Sequence, residues 1–247
     1  MTTYYKAVRT DRLDFFSQST KYMVGLTLLP AIPRAAAITN PRICSEDVLH
    51  AADDPSATLV VGEWPCRLYE VSGVPVVGFD DNNPHKGGFR SLKAVRALPS
   101  WLVLGPQGQR IAAVIKRAWS ITVRVAERLE AERREARSGL RVHDFYAAQS
   151  AAESATQGAA RGIALGAAMG AAYNVVDHLC GEDPTDSVPW GAVVNVIQAL
   201  MVRDLIGVGR FETLSAPWVK VIGDKESDMP LDMETILKHY PKFKEAQ

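Results

Sequence analysis

Apolar and polar positions follow two different rhythms along this chain. In the first hundred residues they alternate or run apolar over strand length. Residues 3–9, "TYYKAVR", read as one strand, and residues 20–28, "TKYMVGLTL", as a second. "CRLYEVSG", "VPVVGFDD" and "FRSLKAVRAL" read as three more, separated by Gly and Asp/Asn clusters. "TDRLDF" reads as a turn, "DDNNPHKGG" as a loop, and the proline-rich "PAIPRAAAITNP" as irregular chain. Ser45 is placed to cap a short helix, "EDVLHAA", with Glu46 and Asp47 at its positive end.

The rhythm changes near Pro99. Residues 109–138 hold no Gly or Pro, and Ile111, Val114, Ile115, Ala118, Ile121, Val125 and Leu129 recur at helical spacing. The end of that helix, "ERLEAERREAR", reads as a solvated face laced by pairs such as Glu130–Arg134 and Arg128–Glu132. A second helix is expected over 144–179 and a third over 188–206, the latter capped by Asp186 or Ser187 with Pro189 in its first turn. "SAPWVKVIGD" reads as extended or turn. "DMETILKHY" reads as a last short helix capped by Asp232 or Asp228. The pattern thus predicts an α+β chain. Residues 1–100 form a small, mainly antiparallel α+β domain, and residues 101–247 an all-α domain of three principal helices.

Inside the 144–179 helix, Gly158, Gly162, Gly166 and Gly170 stand at every fourth position, and Ser154 extends the series backwards. No strand leads into them, and they match neither GxxxxGK[ST] nor GxGxxG, so they are no phosphate loop. The charge-free run from Gly162 to Val176 is shorter than the roughly 20 residues that cross a bilayer, which argues against a membrane span. Each interior glycine costs about 1 kcal/mol relative to alanine. The expected gain is close approach of another helix, so Ser154, Gly158, Gly162, Gly166 and Gly170 form a packing seam. Its partner is either a helix of this chain or the same helix of a second copy.

Composition narrows the rest. The 247 residues carry 28 basic and 28 acidic groups, so net charge gives no argument for nucleic acid or acidic lipid. Residues 99–140 are basic, with 8 cations to 4 anions, and 141–247 are acidic, with 9 to 14. The basic 109–138 helix keeps nucleic-acid binding as an alternative. Three scattered cysteines make no disulfide framework and fit a reducing cytoplasm. The N-terminus lacks the apolar core of a signal peptide. The five histidines form no HExxH or other paired ligand spacing. Asp177, His178, Cys180, Glu182 and Asp183 are neighbours in sequence at a helix end, so their side chains diverge. No metal and no cofactor are expected. "HKGGFR" offers backbone amides and cations to an anion, and reads equally as a hairpin loop.

Several of these stretches resemble an uncharacterised domain common in actinobacteria and their phages. They are "YYKAVR…DF", "YMVG", "SEDVLHAA", "CRLYEVSG" and "RSLKAVRALP". The ending "MVRDLIGVGRFETLSAPWVKVIGD" is similar to that of longer members, some loosely labelled immunity proteins. "NPRIC" departs from that pattern before the first helix. The resemblance implies a bacterial or phage protein of the host cytoplasm and brings no catalytic residues with it. A second likeness is to ADP-ribosyltransferases, in the order Arg9, Ser19/Thr20, Glu70. It implies that arginine and serine position a nicotinamide cofactor and that the glutamate stabilises a sugar cation. Leu68 stands where that family has a second Glu or Gln. The leading expectation is a non-enzymatic binding or assembly protein acting through protein contacts, including contacts with itself as a homo-oligomer. The alternative is an ADP-ribosyltransferase-like enzyme with Arg9 and Glu70 as catalytic candidates.

Overall fold

A computed structural model describes residues 2–30, 42–43, 45, 47–60, 62–81, 84–139, 142–157, 159–180 and 190–243, with backbone alone at 159, 175–180 and 190. The fold is α+β, an antiparallel sheet followed by helices. The chain divides into two compact units, Met1–Val103 and Leu104–Gln247.

The first unit is a seven-stranded sheet. Its strands are β1 (Tyr4–Val8), β2 (Thr27–Leu28), β3 (Leu49–Ala52), β4 (Arg67–Ser72), β5 (Pro75–Gly78), β6 (Lys86–Phe89) and β7 (Leu92–Leu98). They lie in the order β2-β7-β4-β1-β3-β6-β5, with every pairing antiparallel. Alternate residues of these strands meet in one core of Tyr4, Val8, Leu49, Ala51, Tyr69, Val71, Phe89, Leu92 and Ala94, which Tyr22 and Leu28 complete. Tyr4 stacks on Phe79 at 5.3 Å and meets the edge of Phe89 at 4.9 Å.

Three expectations change here. "EDVLHAA" is not a helix, because Leu49–Ala52 is β3 and pairs with β6 from Leu49↔Phe89 to Ala52↔Lys86. The apolar alternation of Leu49 and Ala51 into the core outweighs the capping signal at Ser45. Within 20–28 only Thr27–Leu28 is strand, beside a single bridge Leu13↔Lys21. Part of the expected loop "DDNNPHKGG" is β6, whose glycines admit close neighbours: a Cβ on Gly87 would overlap the Phe79 ring. "PAIPRAAAITNP" lies almost wholly outside the described residues.

In the second unit each long helix expected from periodicity is interrupted. The 109–138 segment is α1 (Gly108–Ala118) and α2 (Val123–Ser138). Between them Ser120 donates its hydroxyl to Arg117 O at 2.7 Å, and Thr122 caps α2 by accepting from Val125 N. These side chains compete with the helical ladder, so the break needs neither Gly nor Pro. The 144–179 segment is α3 (Val142–Ala155) and α4 (Ala159–Cys180). Thr156 donates to Glu153 O at 2.8 Å where α3 ends. The 188–206 segment is α5 (Trp190–Met201) and α6 (Arg203–Ile206). "SAPWVKVIGD" is not extended either. It belongs largely to α7 (Val208–Val221), where burial of Phe211, Leu214 and Trp218 offsets the roughly 3 kcal/mol cost of Pro217 in a helix. α8 (Met233–His239) is capped by Asp232, which accepts from Thr235 N at 3.1 Å.

α5 is the core of this unit. Its residues Ala192, Val193, Val196, Ile197, Ala199 and Leu200 are all buried, against α1, α2, α4 and α7. α4 meets its neighbours through alanines: Ala164, Ala167, Ala168, Ala171 and Ala172 are buried. Gly162, Gly166 and Gly170 are exposed, and a Cβ on Gly166 or Gly170 would meet no atom within 4 Å. Ser154 is exposed on α3, and Gly158 lies outside the described residues. Small size at Gly166 and Gly170 therefore serves no contact within the described chain. The alanines, one position removed, make the close approach.

Replacing Gly166 and Gly170 by alanine should therefore raise stability by about 1 kcal/mol per site, read as a shift of the urea midpoint. A loss of stability would show a close contact at the glycines that the described chain does not itself make.

Candidate functional site

β1 occupies the centre of the sheet, between β4 and β3. Tyr4, Tyr5, Ala7 and Val8 are buried, so a charge at Lys6 enters an apolar setting and needs a counter-charge there. The chain supplies it from the next turn. After Val8 it reverses through residues 9–22, held by Arg9 N→Leu13 O, Tyr22 N→Arg12 O and Asp14 N→Thr20 O, each 2.9 Å. This return places the Asp14 carboxylate 2.5 Å from Lys6 Nζ, with the side chains only 11% and 13% exposed. The other carboxylate oxygen accepts from Phe16 N at 2.9 Å and Ser17 N at 3.0 Å. Lys6 also lies 5.7 Å from the centre of the Tyr22 ring.

β1 pairs along its whole length with β4 but with β3 only at Tyr5↔Ala52. Just past that pair a cavity of about 120 Å³ opens. Lys6 and Ala7 line it from β1, His50, Ala51 and Ala52 from β3, and Lys86 from β6. Asp14, Phe15 and Phe16 close it from the return, and Ala57, Val60 and Gly62 from the segment after β3. Its wall is mostly apolar, with Tyr5, Lys6, Asp14, His50, Thr58 and Lys86 as the polar residues.

The electrostatics follow from this enclosure. Burial pushes the Lys6 ammonium below its ordinary pKa, and Lys86 adds to that, while Asp14 opposes it. For Asp14, burial works towards a higher pKa. The Lys6 charge and hydrogen bond, with the amides of Ser17 and Phe16, outweigh it and hold the carboxyl below its usual value. His50 is lowered from 6.5 to about 4, by burial first and then by the charges of Lys86 and Lys6, with Asp14 acting the other way. It is therefore a neutral imidazole at physiological pH, able to donate and accept. Burial raises Tyr5 to about 12, helped by the charge of Glu70, so its phenol stays protonated. Cys66, buried and raised to about 12, is no nucleophile.

The sequence candidates lie elsewhere. Arg9 is half-buried just past β1 and pairs with Asp11 at 3.1 Å. Glu70 sits on β4 opposite Tyr5 and pairs across the sheet with Arg96, which donates from Nε at 2.6 Å. Neither lines the cavity. Ser19 and Thr20 sit in the 9–22 return, where Thr20 accepts from the Ser17 hydroxyl at 3.3 Å. On α2, Glu130 holds Arg133 at 2.7 Å and Arg134 at 3.3 Å, and Glu132 pairs with Lys220 of α7 at 2.6 Å. The charged run is thus partly a packing surface. The Asp177–Asp183 cluster falls on side chains outside the description. Among the described residues no group of His, Cys, Asp and Glu could hold a metal ion, and no helix is long and apolar enough to cross a membrane.

Sequence reasoning overlooked Lys6, Asp14 and His50. One signal was present: a lysine midway in the apolar strand "YYKAV" demands a nearby acid, and Asp14 follows eight positions on. Nothing in the sequence brings His50 to the same place, because that needs the β1–β3 adjacency. Comparison of the chain with protein families, curated proteins and solved structures finds no match.

Asp14→Ala should cost about 3–5 kcal/mol, because it leaves the Lys6 charge buried alone, and the pair Lys6→Met/Asp14→Leu should recover most of that loss in urea melts. The unfolded chain takes up a proton on His50 near 6.5 and the folded chain only near 4. Stability should therefore fall as pH drops through that window, and His50→Gln should flatten the slope.

Proposed function

We propose that the N-terminal unit is a binding module for a small organic anion, seated in the cavity beside Lys6, His50 and Lys86. The observation that carries this reading is a buried ion pair forming the wall of a cavity. A buried pair stabilises a fold less than apolar packing of the same volume, so its presence at a cavity wall, rather than in solid core, marks a site. Lys6 and Asp14 cancel. Lys86 lines the same cavity as a second ammonium, and its charge acts on both Lys6 and His50. Inside an apolar wall such a charge acts through a lower dielectric than at the surface. The arrangement suits a carboxylate or similar headgroup with a short apolar body against Phe15, Ala51 and Val60. Calorimetric titration with hexanoate, hexylamine and hexanol tests it. Hexanoate should bind best, and Lys86→Gln should weaken it about tenfold, the share of one charge-assisted contact. Preference for hexylamine, or no binding of hexanoate, would refute the reading.

A second reading, assembly through protein contacts, is favoured by the exposed row Gly162, Gly166 and Gly170, in which a Cβ on Gly166 or Gly170 would meet no atom of the described chain within 4 Å. A second copy of α4 is the partner that such a row fits. Light scattering should then show a dimer that Gly166→Leu/Gly170→Leu converts to a monomer without loss of helix content. A wild-type monomer at high concentration would end this reading.

A further inference from the structure

We propose that Lys6 is a nucleophile that captures a small aliphatic aldehyde in the cavity as a reversible imine. This activity goes beyond anion binding and does not depend on it. Lys6 lines the cavity from β1, and its side chain is only 13% exposed. An ammonium carries three N–H donors. Among the described residues Asp14 is the one hydrogen-bonding partner of Lys6, with the Tyr22 ring 5.7 Å from Nζ. Bonding capacity therefore remains on this nitrogen at the cavity wall. Its partner is fixed in place. Asp14 Oδ1 accepts from Phe16 N and Ser17 N, and Oδ2 lies 2.5 Å from Nζ. The apolar wall of Phe15, Ala51, Ala57 and Val60 suits a short hydrocarbon chain.

Imine formation needs a free amine and a proton carrier. Lysines in water hold their proton near neutral pH and are weak nucleophiles there. Burial and the charge of Lys86 both favour the neutral amine of Lys6, and Asp14 opposes them. Passing one proton from Nζ to Asp14 Oδ2 turns the ion pair into a neutral pair, which an apolar setting accepts. Nζ then bonds the carbonyl carbon, and the carbonyl oxygen takes that proton from Oδ2. Asp14 next accepts a second proton from Nζ and delivers it to the new hydroxyl, which leaves as water. Lys6 ends as a protonated imine, one positive charge beside one carboxylate as before. The charge balance of the buried pair thus survives the reaction, and neither oxidant nor reductant is consumed.

Incubating the full chain with butanal and cyanoborohydride at neutral pH tests this, because the hydride fixes each imine as a stable butylamine. Peptide mapping should place the first butyl group on Lys6, about tenfold faster than on the exposed Lys21 and Lys93. In urea that preference should vanish, because it comes from the folded cavity. Asp14→Asn should slow labelling of Lys6 and leave Lys21 and Lys93 unchanged. Lys6→Met/Asp14→Leu, in which both buried charges go together, should lose the fast label and keep the slow ones. Equal labelling of Lys6 and the exposed lysines in the folded wild-type chain would overturn the proposal. So would a first label on Lys86, or a fast label that persists in the double variant.

Discussion

The Lys6–Asp14 pair is the constraint around which the N-terminal unit is arranged. A lysine in the middle of the central strand cannot be left alone in an apolar layer. The chain answers it within one reversal, and the return through residues 9–22 takes its shape from Asp14. The carboxylate accepts from two amides of that return as well as from Lys6, and its own N–H and C=O bond Thr20 and Gln18. The return in turn delivers Phe15, Phe16 and Tyr22 to the sheet. Tyr22 joins the core, and the two phenylalanines close the cavity. One ionic contact thus links strand, turn, core and site.

The same contact sets the chemistry available there. His50 stands near two ammonium groups in a desolvated place, so it stays neutral where an exposed histidine would begin to charge. His50 therefore adds no group that titrates near neutral pH. That combination suits steady binding of an anion more than acid–base turnover, which asks for a group poised near neutral pH. A binding module also agrees with the placement of Arg9 and Glu70, each engaged in its own surface ion pair and away from the cavity.

How much of this could be read from the chain differs by element. β1, β4, β5 and β7 follow from alternation, because their residues alternate in the sequence as they do in the sheet. β3 did not, since a helix cap at Ser45 and the run "EDVLHAA" imitate a helix start, and only pairing with β6 selects the strand. β6 was hidden because "KGGF" has no strand propensity, its glycines being required by close neighbours such as Phe79. In the helical unit the periodicity found the helical stretches but not their ends, because Ser120, Thr122 and Thr156 break the ladder through side-chain bonds. The glycine row was legible as a row. Its direction was not, because Ala164, Ala168 and their neighbours, equally small, make the packing face. For the site, Lys6 and Asp14 were legible as a problem and its answer. His50 and Lys86 join them only through the strand order β1-β3-β6.

The most direct test of the account is the titration of His50, followed by its ring resonances from neutral to strongly acidic pH, with and without hexanoate. The account predicts a midpoint near 4 for the free protein, moved upward when a bound carboxylate stabilises the imidazolium. A midpoint at the ordinary 6.5, indifferent to hexanoate, would contradict it.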